Sequence, residues 1–444
     1  MTKLQKAQYR IAGQLIEKRW IIRTSLRLCP CCIAETAKPD DDGFVGQATW
    51  HIPFMRQCPK HNVLLKSFGR VGYTGSVHDF TKRCFEHRWD ILCAADDATV
   101  CDPSALSRYI EARSMGAPVK HWIDTLELNA AAYFCELLGL LVECGADVGV
   151  SALTDIERAH VGDTGYSIAV GGPADVKVAL WALPRPLVKS KAQAHLGSLY
   201  QWLSRSAKGP QYDLIKDLVR EYIVESFPIG PGETVLGQVV QQRRVYSLTT
   251  FTQYSRASMK RSRKALIAAS LINPNAGRPK VQTSEVFCAE AARPVLDKLN
   301  GGVTRRLALK LLNIPRAQFD ALASGEVLRP MPGLGEITPY YARSEVFRLR
   351  DQLGQVKGGG CYPDDMVDIQ TACRKLVCGA AEIVQLIVDG RLEWIGAAPD
   401  KEGYAAVRVS VAELGGKLEG VGVEGYTKAK VKQILSVNDP AVKF

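Results

Sequence analysis

The sequence has no uncharged apolar run of about eighteen residues, the length a membrane helix needs; its best stretch, Ala130–Val142, is broken by Glu136. An integral membrane protein is therefore not expected. Long polar or low-complexity tracts are also missing, which excludes a disordered or collagen-like chain. With 46% hydrophobic and 8% aromatic residues over 444 positions, two to four globular domains are expected. No Gly-x-x-x-x-Gly-Lys-Ser/Thr loop is present, so the phosphate cradle of an ATPase is lacking. The basic start of the chain has no apolar segment followed by a small-residue cleavage site, and a cytoplasmic location is expected. In that reducing compartment the 13 cysteines are expected as thiols or metal ligands rather than disulfides.

Acid is missing where base is abundant. Between Thr234 and Ser284 there are nine basic residues (Arg243, Arg244, Arg256, Lys260, Arg261, Arg263, Lys264, Arg278, Lys280) and no Asp or Glu, in a chain whose net charge is +11. A solvated helix normally mixes both signs, so a one-sign block points to a polyanionic partner, double-stranded DNA above all. Carboxylates that could serve catalysis are not gathered either. Asp40–Asp42 and Asp364–Asp365 fall in turns flanked by Gly or Pro, as solvated loop acids do. No pairing of nucleophile and base is visible, and an enzyme is not expected.

Cysteine and histidine are concentrated at the start. Cys29-Pro30-Cys31-Cys32 is followed, beyond Trp50, by Cys58-Pro59-Lys60-His61. Two short pairs on tight turns present two ligands each to one side, as a tetrahedral zinc site requires. Cys29, Cys32, Cys58 and His61 are assigned as ligands because a two-residue spacer is the usual geometry, with Cys31 and His51 as alternative donors. Four protein ligands close the site to a reacting water, so one structural Zn²⁺ is expected and a zinc-dependent nuclease is disfavoured. A poorer set, Cys84, His87, Cys93 and Cys101, offers a possible second zinc but reads more simply as ordinary thiols.

The run Arg27–Glu35 (RLCPCCIAE), then Trp50–Phe54 (WHIPF), then Cys58–Leu65 (CPKHNVLL) resembles the zinc-binding core of the TniQ/TnsD family, target-site proteins of bacterial transposons. The resemblance covers about forty residues directly. It implies a structural zinc, DNA, and docking to a transposition AAA+ ATPase, with a transposase or an RNA-guided complex as further partners and a homodimer as a possible state.

Toward the C-terminus a pattern recurs at about sixty residues: Thr252, Leu266, Ile272; Ala308, Leu322, Leu328; and Ala372, Leu386, Leu392. Each set fits a helix, a tight turn and a second helix, the arrangement of a helix-turn-helix unit. In the first, the spacing turns Met259 and Leu266 to the core and Lys260, Arg261 and Lys264 outward, where they meet phosphates or a major groove. Arg256 and Arg263 flank this face, and Arg278 and Lys280 follow in an arm. Arg305, Arg306, Lys310 and Arg316 give the second unit a lesser set; the third is nearly neutral. Short strands or wings are expected at Glu326–Pro330 and, after Gly403-Tyr404, at Ala406–Val411.

The expected fold is mainly α with small β elements, divided into a zinc-finger domain over 1–105, a helical middle over 106–235, and tandem helix-turn-helix-like modules over 236–300, 301–357 and 358–444. The expected function is that of a non-enzymatic DNA-binding adaptor that marks target sites for transposon insertion and recruits the transposition machinery. The alternative is a zinc-containing transcriptional regulator with tandem helix-turn-helix modules.

Overall fold

A computed structural model describes the chain except residues 1, 6–7, 12, 38–42, 73–78, 185–190, 274–284, 333–338, 359–361 and 419–444. It is mainly helical with small sheets, and it divides into two compact units, the first built chiefly from residues up to Tyr246 and the second from Ser247 on. None of the described helices is long and apolar enough to cross a membrane.

The first unit is organised around helix α5, Leu128–Cys144, which is buried on nearly every side. A helix apolar all round has no solvent face to offer, and so it takes the centre. Against it lies α6, Asp155–Val170. Its start is written in Thr154-Asp155-Ile156-Glu157: the Thr154 hydroxyl accepts from Glu157 N, and Thr154 N donates to Glu157 Oε2 at 2.7 Å, a reciprocal cap. The two helices approach closely at two glycines. A Cβ on Gly139 would lie 1.7 Å from Val161 O, and one on Gly165 would lie 1.9 Å from Cys135 O.

A three-stranded antiparallel sheet, β1 (Thr2–Gln5), β2 (Gln8–Ile11) and β3 (Gln14–Glu17), and an antiparallel pair, β4 (Ser25–Leu28) and β5 (Lys66–Arg70), complete the N-terminal part. One hydrophobic cluster runs from Ile16 to Val240. The segment Leu196–Phe227 carries apolar residues at three- and four-residue spacing, yet it does not form one continuous helix. A helix over Ala192–Gln201 leaves helical geometry at Gly197, a π-helical turn covers Trp202–Ser206, and a new helix begins only at Asp213, after Gly209-Pro210.

Buried charge ties these parts together. Arg56 Nε donates to Glu136 Oε1 of α5 at 2.9 Å, and Arg56 Nη1 to Asp155 Oδ1 of α6 at 3.2 Å. Burial pushes the Glu136 carboxyl up against the pull of Arg56. Nearby, Arg27 donates to the carbonyls of Ile52 and Met55; burial, and then the like charge of Arg56, brings it down to about 10.

In the second unit, three segments each place two short helices either side of a tight turn: Leu248–Tyr254 with Met259–Ala268, Arg305–Leu312 with Arg316–Ser324, and Ile369–Leu376 with Ala380–Val388. The last two match feature for feature at an offset of 64 residues. Thr304 and Asp368 cap the first helix of each, and Asn313 and Val377 take left-handed backbone at φ 48° and 55°. Ile314 N donates to Leu309 O as Cys378 N does to Cys373 O, both at 3.2 Å. Such a left-handed stop satisfies orphan carbonyls at a helix end. Small sheets flank them: Gly302–Thr304 with Tyr340–Ala342, and Met366–Asp368 and Ile395–Ala397 on either side of Val407–Ser410. The expected strand near Ala406–Val411 is present, whereas Glu326–Pro330 forms a turn from which Pro330 alone bridges to Tyr341.

Gly165→Ala is expected to force the α5–α6 backbones apart, at a cost of about 1–3 kcal/mol. Urea denaturation followed by circular dichroism measures this; a midpoint equal to that of the wild type would contradict the close crossing.

Candidate metal centre

The β4–β5 pair brings the ligands together. Leu26 and Leu28 of β4 are buried, and the strand delivers Cys29 directly to the start of helix α1, Pro30–Thr36. Proline suits the first helical position. Cys29 occupies the cap, and its Sγ accepts from Cys32 N at 3.4 Å, so both thiols face one side of the first turn. The second pair sits in a loop closed by the Gln57–Leu64 bridge ahead of β5. There Cys58 N donates to Val63 O, Asn62 N donates to Cys58 O, and Asn62 adopts φ 55°.

The Sγ atoms of Cys29, Cys32 and Cys58 and a ring nitrogen of His61 all lie within 4.8 Å of one another. Cys32 Sγ is 3.6 Å from Cys58 Sγ, and His61 Nδ1 is 3.5, 3.2 and 3.7 Å from Cys29, Cys32 and Cys58. Tetrahedral coordination with Zn–S near 2.3 Å and Zn–N near 2.05 Å sets S···S at about 3.8 Å and S···N at about 3.6 Å. The donor set and its spacing therefore fit a tetrahedral ion. All three cysteines are buried. Hydrogen bonds from Cys29 and then Cys32 pull the Cys58 thiol well below its ordinary range. At Cys32 the bond with Cys29 acts downward, but the bond with Cys58 and burial outweigh it and push the thiol up to about 12. A bound cation would favour the ionised form of all three thiols.

Behind His61 stands Glu35. His61 Nε2 is 3.0 Å from Glu35 Oε1, and Lys60 Nζ pairs with Glu35 Oε2. The Lys60 ammonium, followed by His61, holds the Glu35 carboxyl below its usual range. A carboxylate on the far nitrogen fixes the ring so that Nδ1 faces the ligand group. Glu35 was missed by reasoning from ligand spacing alone. Its position three residues after Cys32, one helical turn along α1, was the available signal.

The alternative donors are not in the group. His51 Nδ1 lies 2.9 Å from Ile22 O, and Cys31 Sγ faces Ala95 O. Among the described residues no second group of three ligand-type side chains forms: Cys84 is buried, while Cys93 is exposed and Cys101 half-buried. His87 lies beside Asp90.

The basic residues are distributed unevenly. Lys260 and Lys264 are exposed on the helix Met259–Ala268, and Arg256 is exposed in the turn before it. Two expectations for this helix need correction. Its interior face is formed by Ser262, Ala265 and Leu266, with Ser262 Oγ 2.9 Å from Ser255 Oγ, so Met259 in the first turn is 47% exposed. Arg261 is not an outward residue: it is half-buried, with its guanidinium 4.4 Å from the Tyr340 ring centre. Arg263 is half-buried as well. Arg305 pairs with Asp320, and Arg316, though exposed, lies 4.0 Å from the same carboxylate; Arg306 is exposed. Arg278 and Lys280 lie outside the described residues. Asp365 accepts from Ala412 N at 2.7 Å and Ser410 Oγ at 3.0 Å, a role in the fold; Asp40–Asp42 lie outside the described residues.

Purified protein is expected to carry about one equivalent of zinc per chain by elemental analysis. Cys32→Ser should lose it together with order in the N-terminal part. Glu35→Gln should keep the fold but weaken metal affinity by roughly 10- to 100-fold in a chelator competition. Metal-free wild type that is fully folded, or an unchanged affinity in Glu35→Gln, would contradict the assignment.

Comparison with known proteins bears on this part of the chain. The TniQ family model matches residues 1–65, the segment that contains all four ligands and Glu35. No curated protein and no solved structure matches the chain. The chain therefore carries a TniQ domain over its first 65 residues.

Proposed function

We infer that the protein is a non-enzymatic adaptor in transposition: it binds double-stranded DNA through the second unit and engages the transposition machinery, an AAA+ ATPase in first place, through the TniQ domain. The observation that carries this reading is the combination on one chain of a TniQ domain with a closed Cys₃His ligand group and a short helix pair whose exposed residues include Arg256, Lys260 and Lys264. A closed site supplies rigidity rather than a reactive water. In a small domain such a staple holds a protein-binding surface in shape. The ion is read as zinc because thiolate and imidazole donors at tetrahedral spacing suit it.

DNA contact is assigned to the helix Met259–Ala268, whose acid-free surface would meet phosphates, with Arg306 and Arg316 on the next pair as lesser contacts. Arg261 supports the helix through the Tyr340 ring rather than touching DNA first. In this reading the three helix pairs are helix-turn-helix modules, and the near-neutral third serves protein contacts.

The triple change Arg256→Ala, Lys260→Ala, Lys264→Ala should weaken duplex binding and flatten the slope of log K against log salt by up to about 2.7, the value for three released phosphate contacts. Fluorescence anisotropy titrations from low to physiological salt measure it. An unchanged slope would remove this helix as the DNA-binding element. Repression of a promoter by the second unit without any need for the ATPase would favour the transcriptional regulator instead.

A further inference from the structure

The first unit contains a cleft that neither the metal centre nor the basic helix uses. Its volume is about 560 Å³, within the range of sites that take a small ligand or an anchoring side chain. One wall is aromatic: Tyr133 lies between Trp20 and Trp202, with ring centres 4.8 and 5.1 Å away. Ser151, Ser198 and Gln201 contribute groups able to hydrogen-bond, and Arg19 and Arg205 contribute positive charge; no carboxylate is among the described residues that line the cleft.

Two departures from α-helical backbone shape it. Gly197 interrupts its helix at φ 47°, ψ −124°, where a Cβ would lie 2.2 Å from Ala146 O. The π-helical turn Trp202–Ser206 then carries Trp202, Arg205 and Ser206 to the cleft. π turns of this kind recur at functional sites.

The charges discriminate between occupants. Arg19 is committed: its Nε pairs with Glu17 at 2.7 Å, Nη1 donates to Ser206 O and Nη2 to the Tyr212 hydroxyl. Arg205 is exposed and has no ion pair among the described residues. One uncommitted guanidinium matches one carboxylate; a phosphate would call for several converging donors. The rings match a flat or apolar side chain.

We propose that this cleft is a docking site for a peptide segment of a protein partner that carries an aromatic side chain beside an Asp or Glu. The aromatic group packs against Trp20, Tyr133 and Trp202, the carboxylate pairs with Arg205, and the hydroxyls take the peptide backbone. The site deepens the adaptor reading by giving the TniQ-bearing unit a specific way to hold its partner.

The test uses the full-length protein. A displayed library of random twelve-residue peptides is selected on it, and the enriched peptides are measured by fluorescence anisotropy against wild type, Arg205→Ala and Ser198→Trp, with circular dichroism confirming the fold of each. The expected peptides share an aromatic residue next to Asp or Glu. Arg205→Ala should weaken them about 10-fold, and changing the peptide's Asp to Asn should weaken wild type by the same factor but leave Arg205→Ala nearly unaffected. Ser198→Trp should abolish binding. The proposal is overturned if no peptide is enriched, if the enriched peptides bind all three proteins alike, or if adenosine monophosphate displaces them. Duplex binding is read in the same preparations: both variants should retain it, and its absence in wild type would refute the adaptor reading without touching the peptide result.

Discussion

Three thiols and an imidazole gathered within 4.8 Å, with every cysteine buried, pose a problem of desolvation and like charge that a divalent cation resolves. Much of the N-terminal architecture serves this convergence. β4 and β5 run antiparallel so that Cys29 leaves one strand where His61 approaches the other, and the aromatic and aliphatic residues between them, Trp50, Ile52, Phe54 and Met55, fill the space beneath. The same loop then reaches the helical bundle through Arg56, whose pairing with the buried Glu136 is tolerable only while both partners are present. The metal centre and the bundle are in this way parts of one packed unit.

The second unit is built by repetition. Two helix pairs 64 residues apart share capped starts and left-handed stops, and their side chains contribute to a common hydrophobic cluster that includes Leu312, Phe319, Leu386 and Leu392. Short helices of this size are marginal alone, so each pair draws its stability from its neighbour. The first pair, by contrast, exposes Lys260 and Lys264 on its second helix, with Arg256 in the turn before it.

How much of this was legible in the sequence depends on the range of each interaction. The ligand pairs were legible because the relevant geometry is local, two residues between donors on a turn. The recurrence of Ala308 and Ala372, and of Leu322 and Leu386, was legible because a helix pair repeats its buried positions. Glu35 was equally local but was hidden by attention to ligands alone. Arg56 with Glu136 is a contact across 80 positions, and no periodicity announces it. The position of Arg261 depended on Tyr340, far along the chain, and that of Met259 on a serine, Ser262, taking the interior place that hydropathy assigns to an apolar residue. Gly197 and the π-helical turn were not legible either, since a pattern of apolar spacing cannot distinguish a straight helix from a broken one.

The central claim is a division of labour, with DNA held by the second unit and the metal-stapled TniQ domain left available to protein. Hydrogen–deuterium exchange of the full-length protein with and without a saturating DNA duplex tests it most directly. The account predicts new protection over Arg256–Ala268 and none over Cys29–His61. Protection centred on the metal loop, or spread over neither segment while the duplex is bound, would contradict it.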